Sequence, residues 1–208
     1  SPSITGADAM SELEHWDNRY VQGDTPWDSG KPSEELVRVL DEERIAPCRA
    51  IDLGCGTGTN AVYLASRGFD VTAADISPTA IERCGVRSVT SGARVRWLQA
   101  DLLDPPVDLG GPYGFLFDRA CYHVVRRVDV RPYFRTLEQI SAPGTMGLVL
   151  AGNAKEPMEP GPPIVTEEEL RSEWRGLFEI AWLREFRFNA TGANEARPLG
   201  WSFLVKRK

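Results

Sequence analysis

The stretch IDLGCGTGTN (51–60) sets an acid, Asp52, just ahead of three glycines in five positions, Gly54, Gly56 and Gly58. Glycine is costly to order, so such a cluster implies left-handed backbone or a close approach. Two further acids close apolar runs downstream: Asp75 ends FDVTAAD and Asp101 ends ARVRWLQAD. An acid after the second strand of a nucleotide fold commonly takes the ribose hydroxyls. Dinucleotide loops follow Gly-x-Gly-x-x-Gly, with a pyrophosphate on the helix N-terminus. Here the third glycine of that pattern would fall at Thr59, and Asp52 would repel phosphates. Three carboxylates facing one crevice suit a nucleoside that carries an amino or sulfonium group. A nucleotide-dependent oxidoreductase is the disfavoured alternative.

Other reactive groups lie in FDRACYHVV (117–125). Asp118 reads either as a backbone-orienting group or as a catalytic base. His123 is a lone histidine, either structural or a general base. Cys121 reads as a core thiol, and Arg126, Arg127, Arg131 and Arg135 read as a solvated face.

Elements to hold these groups follow from the patterning. Ser11 with Glu14 predicts a capped helix over 11–22, and 33–43 is amphipathic. The segment 23–33 is rich in Gly and Pro and breaks regular structure. From residue 49 the chain alternates strand and helix: strands at 49–53, 69–75, 93–101, 113–120 and 145–152, and helices at 59–68, 77–89 and 131–141. Ser77 followed by Pro78 is a strong helix start. The alternation predicts a parallel sheet with helices on both faces. After a helix at 166–174, two long runs, 178–189 and 200–208, are expected to pair antiparallel around the loop NATGANEARP.

The chain has 208 residues, enough for one domain with its own core. A net charge of -6 disfavours nucleic acid or an anionic membrane as partner. No run approaches the ~18 apolar residues of a membrane span. Cys48, Cys55, Cys84 and Cys121 form no Cys-x-x-Cys pair, so no metal site is expected and a reducing, cytoplasmic setting fits. The start, SPSITGADAM, lacks an initiator Met and a signal-peptide layout, reads as trimmed or added, and is left out of fold reasoning.

Taken in order, acid-x-Gly-x-Gly-x-Gly, the second-strand acid, and Ala-Asp-Leu at 100–102 resemble the class I S-adenosylmethionine (SAM) methyltransferases. That resemblance covers about residues 45–208. It implies an α/β Rossmann-like, seven-stranded, mostly parallel sheet with an antiparallel C-terminal strand. Three more stretches resemble the thiopurine S-methyltransferase, thiol/halide methyltransferase and tellurite-resistance branch: HWDNRYVQGDTPWDSGKPS (15–33), Asp118-Arg119, and the Gly161-Pro162-Pro163 loop. The DPPV run at 104–107 is not the Asp-Pro-Pro-aromatic box of amino-methylating enzymes; it precedes the fourth strand and lacks the aromatic.

The resemblance implies two parts: residues 1–44 as tail, lid helix and cover, and 45–208 as the methyltransferase domain. Residues 11–33 would be a mobile lid ordered by cofactor, with Trp16 and Trp27 packed on SAM. Gly54 would lie against the methionyl part, with Asp52, Gly56 and Gly58 in the same loop. Asp75 would meet the ribose, with Ile76 also on the cofactor, and Asp101 and Leu102 would meet the adenine. Arg119 would serve the cofactor and substrate side, with Asp118 and His123 as the catalytic candidates. The implied product is S-adenosylhomocysteine (SAH), and the implied partner a small-molecule acceptor, with a monomer favoured. The CYH run (121–123) departs from the more hydrophobic run of thiopurine enzymes, so the acceptor need not be a thiopurine. A thiol ionises readily near ~pH 8.5 and needs little base. A hydroxyl acceptor would require His123 or Asp118 to take a proton. A non-catalytic SAM sensor is the rival from outside the enzymes.

Overall fold

The structure, a computed structural model, describes residues 11–191 and 195–208. The N-terminal stretch set aside above, and residues 192–194 of the expected loop, lie outside the described residues. Each strand of the sheet forms where apolar residues cluster: β1 (Arg49–Leu53), β2 (Asp70–Asp75), β3 (Val95–Gln99), β4 (Phe115–Arg119), β5 (Met146–Asn153), β7 (Phe178–Arg187) and β8 (Leu199–Arg207). A two-residue strand, β6 (Ile164–Val165), pairs with the end of β5. The main order is β3-β2-β1-β4-β5-β8-β7, with β8 antiparallel to both neighbours. This is the expected α/β Rossmann-like sheet of seven strands, plus β6.

The helices are α1 (Glu12–Gln22), α2 (Glu34–Glu42), α3 (Thr59–Ser66), α4 (Pro78–Ser91), α5 (Tyr122–Val125), α6 (Val130–Ile140) and α7 (Glu167–Trp174). Local signals place most of their starts. Ser11 and Glu14 form the capping box of α1, and Ser77 caps α4 by accepting from the Ala80 N–H. Alternate residues of the central strands feed two cores. Ile51, Leu116 and Val149 pack with α6 and α7 on one face; Ala50, Phe115, Phe117, Leu148 and Leu150 pack with α2 and α3 on the other. Because β1 lies between β2 and β4, the chain leaves β1 toward one side and β4 toward the other. A crevice opens at the carboxyl ends of those strands, the usual binding position in such sheets.

Gly58 starts α3 at φ +83°, and a Cβ there would lie 2.6 Å from the Trp97 ring and 2.9 Å from the Cys84 sulfur. Gly58→Ala therefore combines left-handed strain with overpacking, and roughly 2–4 kcal/mol of stability is expected to be lost in urea unfolding. Gly92→Ala is the control. Its φ is +71° but nothing lies within 4 Å, so only the strain, about 1 kcal/mol, is expected. Equal losses would mean that the Trp97 contact contributes nothing.

Candidate active site

A cavity of about 730 Å³ occupies the crevice. Its floor is the β1–α3 loop together with the ends of β2 and β3. Asp52, Gly54, Gly56, Asp75, Ile76, Asp101 and Leu102 all line it. Gly58 does not; it is spent on the packing against Trp97 described above. Gly54 (φ +68°) lies under Cys121, whose Cβ is 2.8 Å from where a side chain would begin. Gly56 (φ +56°) faces the Tyr20 hydroxyl at 3.1 Å. The glycines thus let the loop run close beneath neighbouring elements as well as line the crevice.

The three acids differ in how they are held. Asp75 accepts from the Gly56 N–H (2.9 Å) and the Ser77 N–H (2.9 Å), which ties the loop to the start of α4. Burial pushes its pKa up, against those two hydrogen bonds. Asp101 accepts from the Leu103 N–H at 2.8 Å. Asp52 is 2% exposed, and its Oδ2 is buried with no hydrogen-bond partner among the described residues. Burial, then the charges of Asp118 and Asp75, push its pKa up to about 8. An orphaned buried carboxylate oxygen is costly and calls for a cationic partner.

The roof comes from the N-terminal segment. Trp16 and Trp27 both line the cavity and meet edge to face at 5.7 Å; Tyr20 meets Trp27 at 5.9 Å. The segment is pinned at several points. Asp17 accepts from the Ser77 hydroxyl (2.6 Å) and the Thr79 N–H (2.9 Å), Asp28 accepts from the Thr57 hydroxyl (2.7 Å), and Arg119 donates to the Trp27 carbonyl (2.9 Å). Asp17, Asp28 and Thr57 carry no motif of their own, and sequence reading missed them. Their partners are distant in the chain, so no local spacing could reveal them.

The third side follows β4. Ala120 takes φ +71° and turns the chain so that α5 starts over the loop, a strained backbone at a functional site. Asp118 holds that turn. Its carboxylate accepts from the Cys121 and Tyr122 N–H groups and from the Tyr133 hydroxyl. It is 1% exposed and does not line the cavity, so the catalytic reading of Asp118 is corrected to an anchoring one. Burial raises its pKa to about 6. Arg119 does line the cavity, and burial lowers its pKa. His123 lines it too, but its Nδ1 accepts from the Gly152 N–H at 2.8 Å. Burial, then nearby arginines, push its pKa down to about 3. A lone pair already engaged on so weak a base cannot take a proton, and the general-base reading of His123 is corrected accordingly.

The floor, the acids and the aromatic roof enclose one crevice. The donor set fits SAM: Asp52 would face an ammonium and Asp75 and Asp101 a nucleoside, with aromatics above. The thiopurine S-methyltransferase (TPMT) family matches residues 11–198, and the chain belongs to that family. Among curated relatives, the 2-heptyl-1-hydroxyquinolin-4(1H)-one methyltransferase of Mycobacteroides abscessus is 30% identical over 150 residues, 70% of this chain and 65% of that protein. A probable thiol methyltransferase 2 of Arabidopsis thaliana is 40% identical over 68 residues, 33% of this chain and 30% of that protein. The aligned stretches thus span less than two thirds of those relatives. A solved structure concerned with conversion of a disulfide bond into a thioacetal group during echinomycin biosynthesis superposes with TM-score 0.80 at 23% identity, covering 95% of this chain and 93% of that one. A SAM-dependent methyltransferase from Anabaena variabilis superposes with TM-score 0.75 at 17% identity, covering 100% and 99%. Both likenesses concern the fold.

With a pKa of about 8, Asp52 is mostly protonated at neutral pH in the free protein. An ammonium beside it would favour the carboxylate and lower that pKa. SAH binding is therefore expected to release a proton near pH ~7, with affinity rising with pH and levelling above about 8. Calorimetry in buffers of different ionisation enthalpy measures the release. Asp52→Asn should abolish it; an unchanged release in that variant would place the proton elsewhere.

Proposed function

We propose that this chain transfers the methyl group of SAM to a small, apolar acceptor that reacts as a soft anion, most simply a thiol. When bound, SAM supplies a methyl group already activated for in-line displacement, so the protein has chiefly to align and to dry the site. Asp52 would neutralise the amino-acid end of the cofactor, and Asp75 and Asp101 would fix the nucleoside. Trp16, Trp27 and Tyr20 would exclude water above it, where an anion and a sulfonium react most readily.

The observation that carries the acceptor class is the engagement of both residues the sequence offers as bases. Asp118 is sealed in the α5 turn and His123 has its lone pair engaged. An acceptor that arrives ionised needs neither, and a thiol with pKa ~8.5 meets that requirement. The apolar mouth adds a second constraint. Val124, Val125, Val128, Met158, Pro162 and Pro163 line it, and Val128 is 59% exposed at the rim. Gly152 makes this wall possible: a Cβ there would lie 2.1 Å from the Pro163 carbonyl oxygen, so only glycine lets β6 and its proline loop close on β5. A recessed cavity of about 730 Å³ with this lining suits a compact apolar molecule better than a folded macromolecule. The names of relatives support the same range, from a thiol methyltransferase to a hydroxyquinolone methyltransferase.

SAH formation against a panel of thiols, iodide, phenols, hydroxylated heteroaromatics, amines and a nucleic-acid control tests the reading. Turnover of thiols or iodide, fastest with apolar substituents, is expected. Turnover of amines alone would contradict it, and SAM binding with no turnover across the panel would favour a sensor. Val128→Asp should raise the KM of apolar-substituted acceptors about fivefold or more while leaving SAH affinity unchanged, because it puts a charge on the rim alone.

A further inference from the structure

We propose that His123 binds the acceptor as a hydrogen-bond donor through Nε2–H and does not remove its proton. The proposal rests on the methyl-transfer reading above for the identity of the group that accepts. A backbone amide can only donate, so the 2.8 Å contact from the Gly152 N–H fixes Nδ1 as the bare nitrogen. A neutral imidazole carries one hydrogen, which must then sit on Nε2. Gly152 cannot turn away, because it pairs with Ile164 of β6 and Gly200 of β8. The ring is 2% exposed, it lines the cavity, and among the described residues no hydrogen bond from Nε2 to protein is seen.

The charges around the ring keep it in that state. Arg119, Arg127 and Arg126 all oppose a positive imidazolium, in addition to the dominant cost of burial. Arg126 is balanced by Glu173 at 2.8 Å and Glu169 at 3.1 Å, and Arg119 donates to the Trp27 carbonyl within electrostatic range of Asp28 and Asp52. The acceptor side therefore presents a fixed N–H with arginines nearby. A thiolate, a phenolate or another atom with a free lone pair can accept from it. A protonated amine offers only hydrogens there and is turned away. This makes His123 a selector for anionic or lone-pair acceptors, and accounts for a histidine in a site that lacks a working base.

Two measurements on the full chain test this. Nitrogen-15 NMR reads the tautomer without any acceptor, and the chain has only two histidines, His15 being the exposed one. The expected result is a His123 ring in the Nε2–H form, unchanged from about pH 5 to about 8. A Nδ1–H ring, or one that titrates in that range, overturns the proposal. In the second measurement His123→Gln and His123→Leu are compared on the best acceptor of the panel. A glutamine amide can donate but cannot act as a base; leucine can do neither. Leu should raise acceptor KM about tenfold, the scale of one hydrogen bond, with SAH affinity unchanged, and Gln should restore most of that loss. Equal losses of kcat in both variants would indicate a base and overturn the proposal, as would a Leu variant that behaves as wild type. Should the wild-type chain methylate nothing, the methyl-transfer reading fails, while the NMR result still decides the tautomer.

Discussion

The β1–α3 loop must pass within contact of three other elements at once, and the site is arranged around that constraint. Gly54 lies under Cys121 of the β4–α5 turn, Gly56 under Tyr20 of α1, and Gly58 against Trp97 of β3. All three have left-handed backbone, which a side chain would strain even in open space. Remove the glycines and floor, roof and acceptor wall could not converge on one cavity. The close packing also buries Asp52 beneath the loop and leaves its Oδ2 without a hydrogen-bond partner among the described residues.

From that loop the charge pattern of the site follows. In the proposed reading the cofactor would lie beside Asp52, Asp75 and Asp101, and the acceptor near His123, with Arg119, Arg126 and Arg127 around that ring. A cationic cofactor and an anionic acceptor would each meet opposite charge, and their own charges cancel as the methyl moves. Burial strengthens both preferences, since charges that are not screened by water interact over longer range. The anchoring of α5 by Asp118 belongs to the same arrangement, because it sets where His123 and Cys121 stand relative to the loop.

Much of this was legible from residue order. The glycine run, the strand-terminal acids and the caps Ser11 and Ser77 are local rules, and local rules survive folding. The hairpin of β7 and β8 was legible because both strands are long and adjacent in sequence. What could not be read had three sources. The helix α5 is four residues long and β6 two, too short to show a period. The roof contacts, Asp17 with Ser77 and Asp28 with Thr57, join residues far apart in the chain, and no local spacing pairs them. The roles of Asp118 and His123 depend on which backbone N–H each one faces, and residue type alone suggested bases where the fold uses one as an anchor and engages the other's lone pair.

The proposed selection of a cationic nucleoside by Asp52, whose Oδ2 is buried without a hydrogen-bond partner among the described residues, is tested most directly by titrating the full chain with SAH and, separately, with NAD. Asp52 and the missing third dinucleotide glycine at position 59 both disfavour a pyrophosphate. Calorimetry should therefore show saturable one-site binding of SAH and no binding heat with NAD. Tight binding of NAD with none of SAH would contradict it.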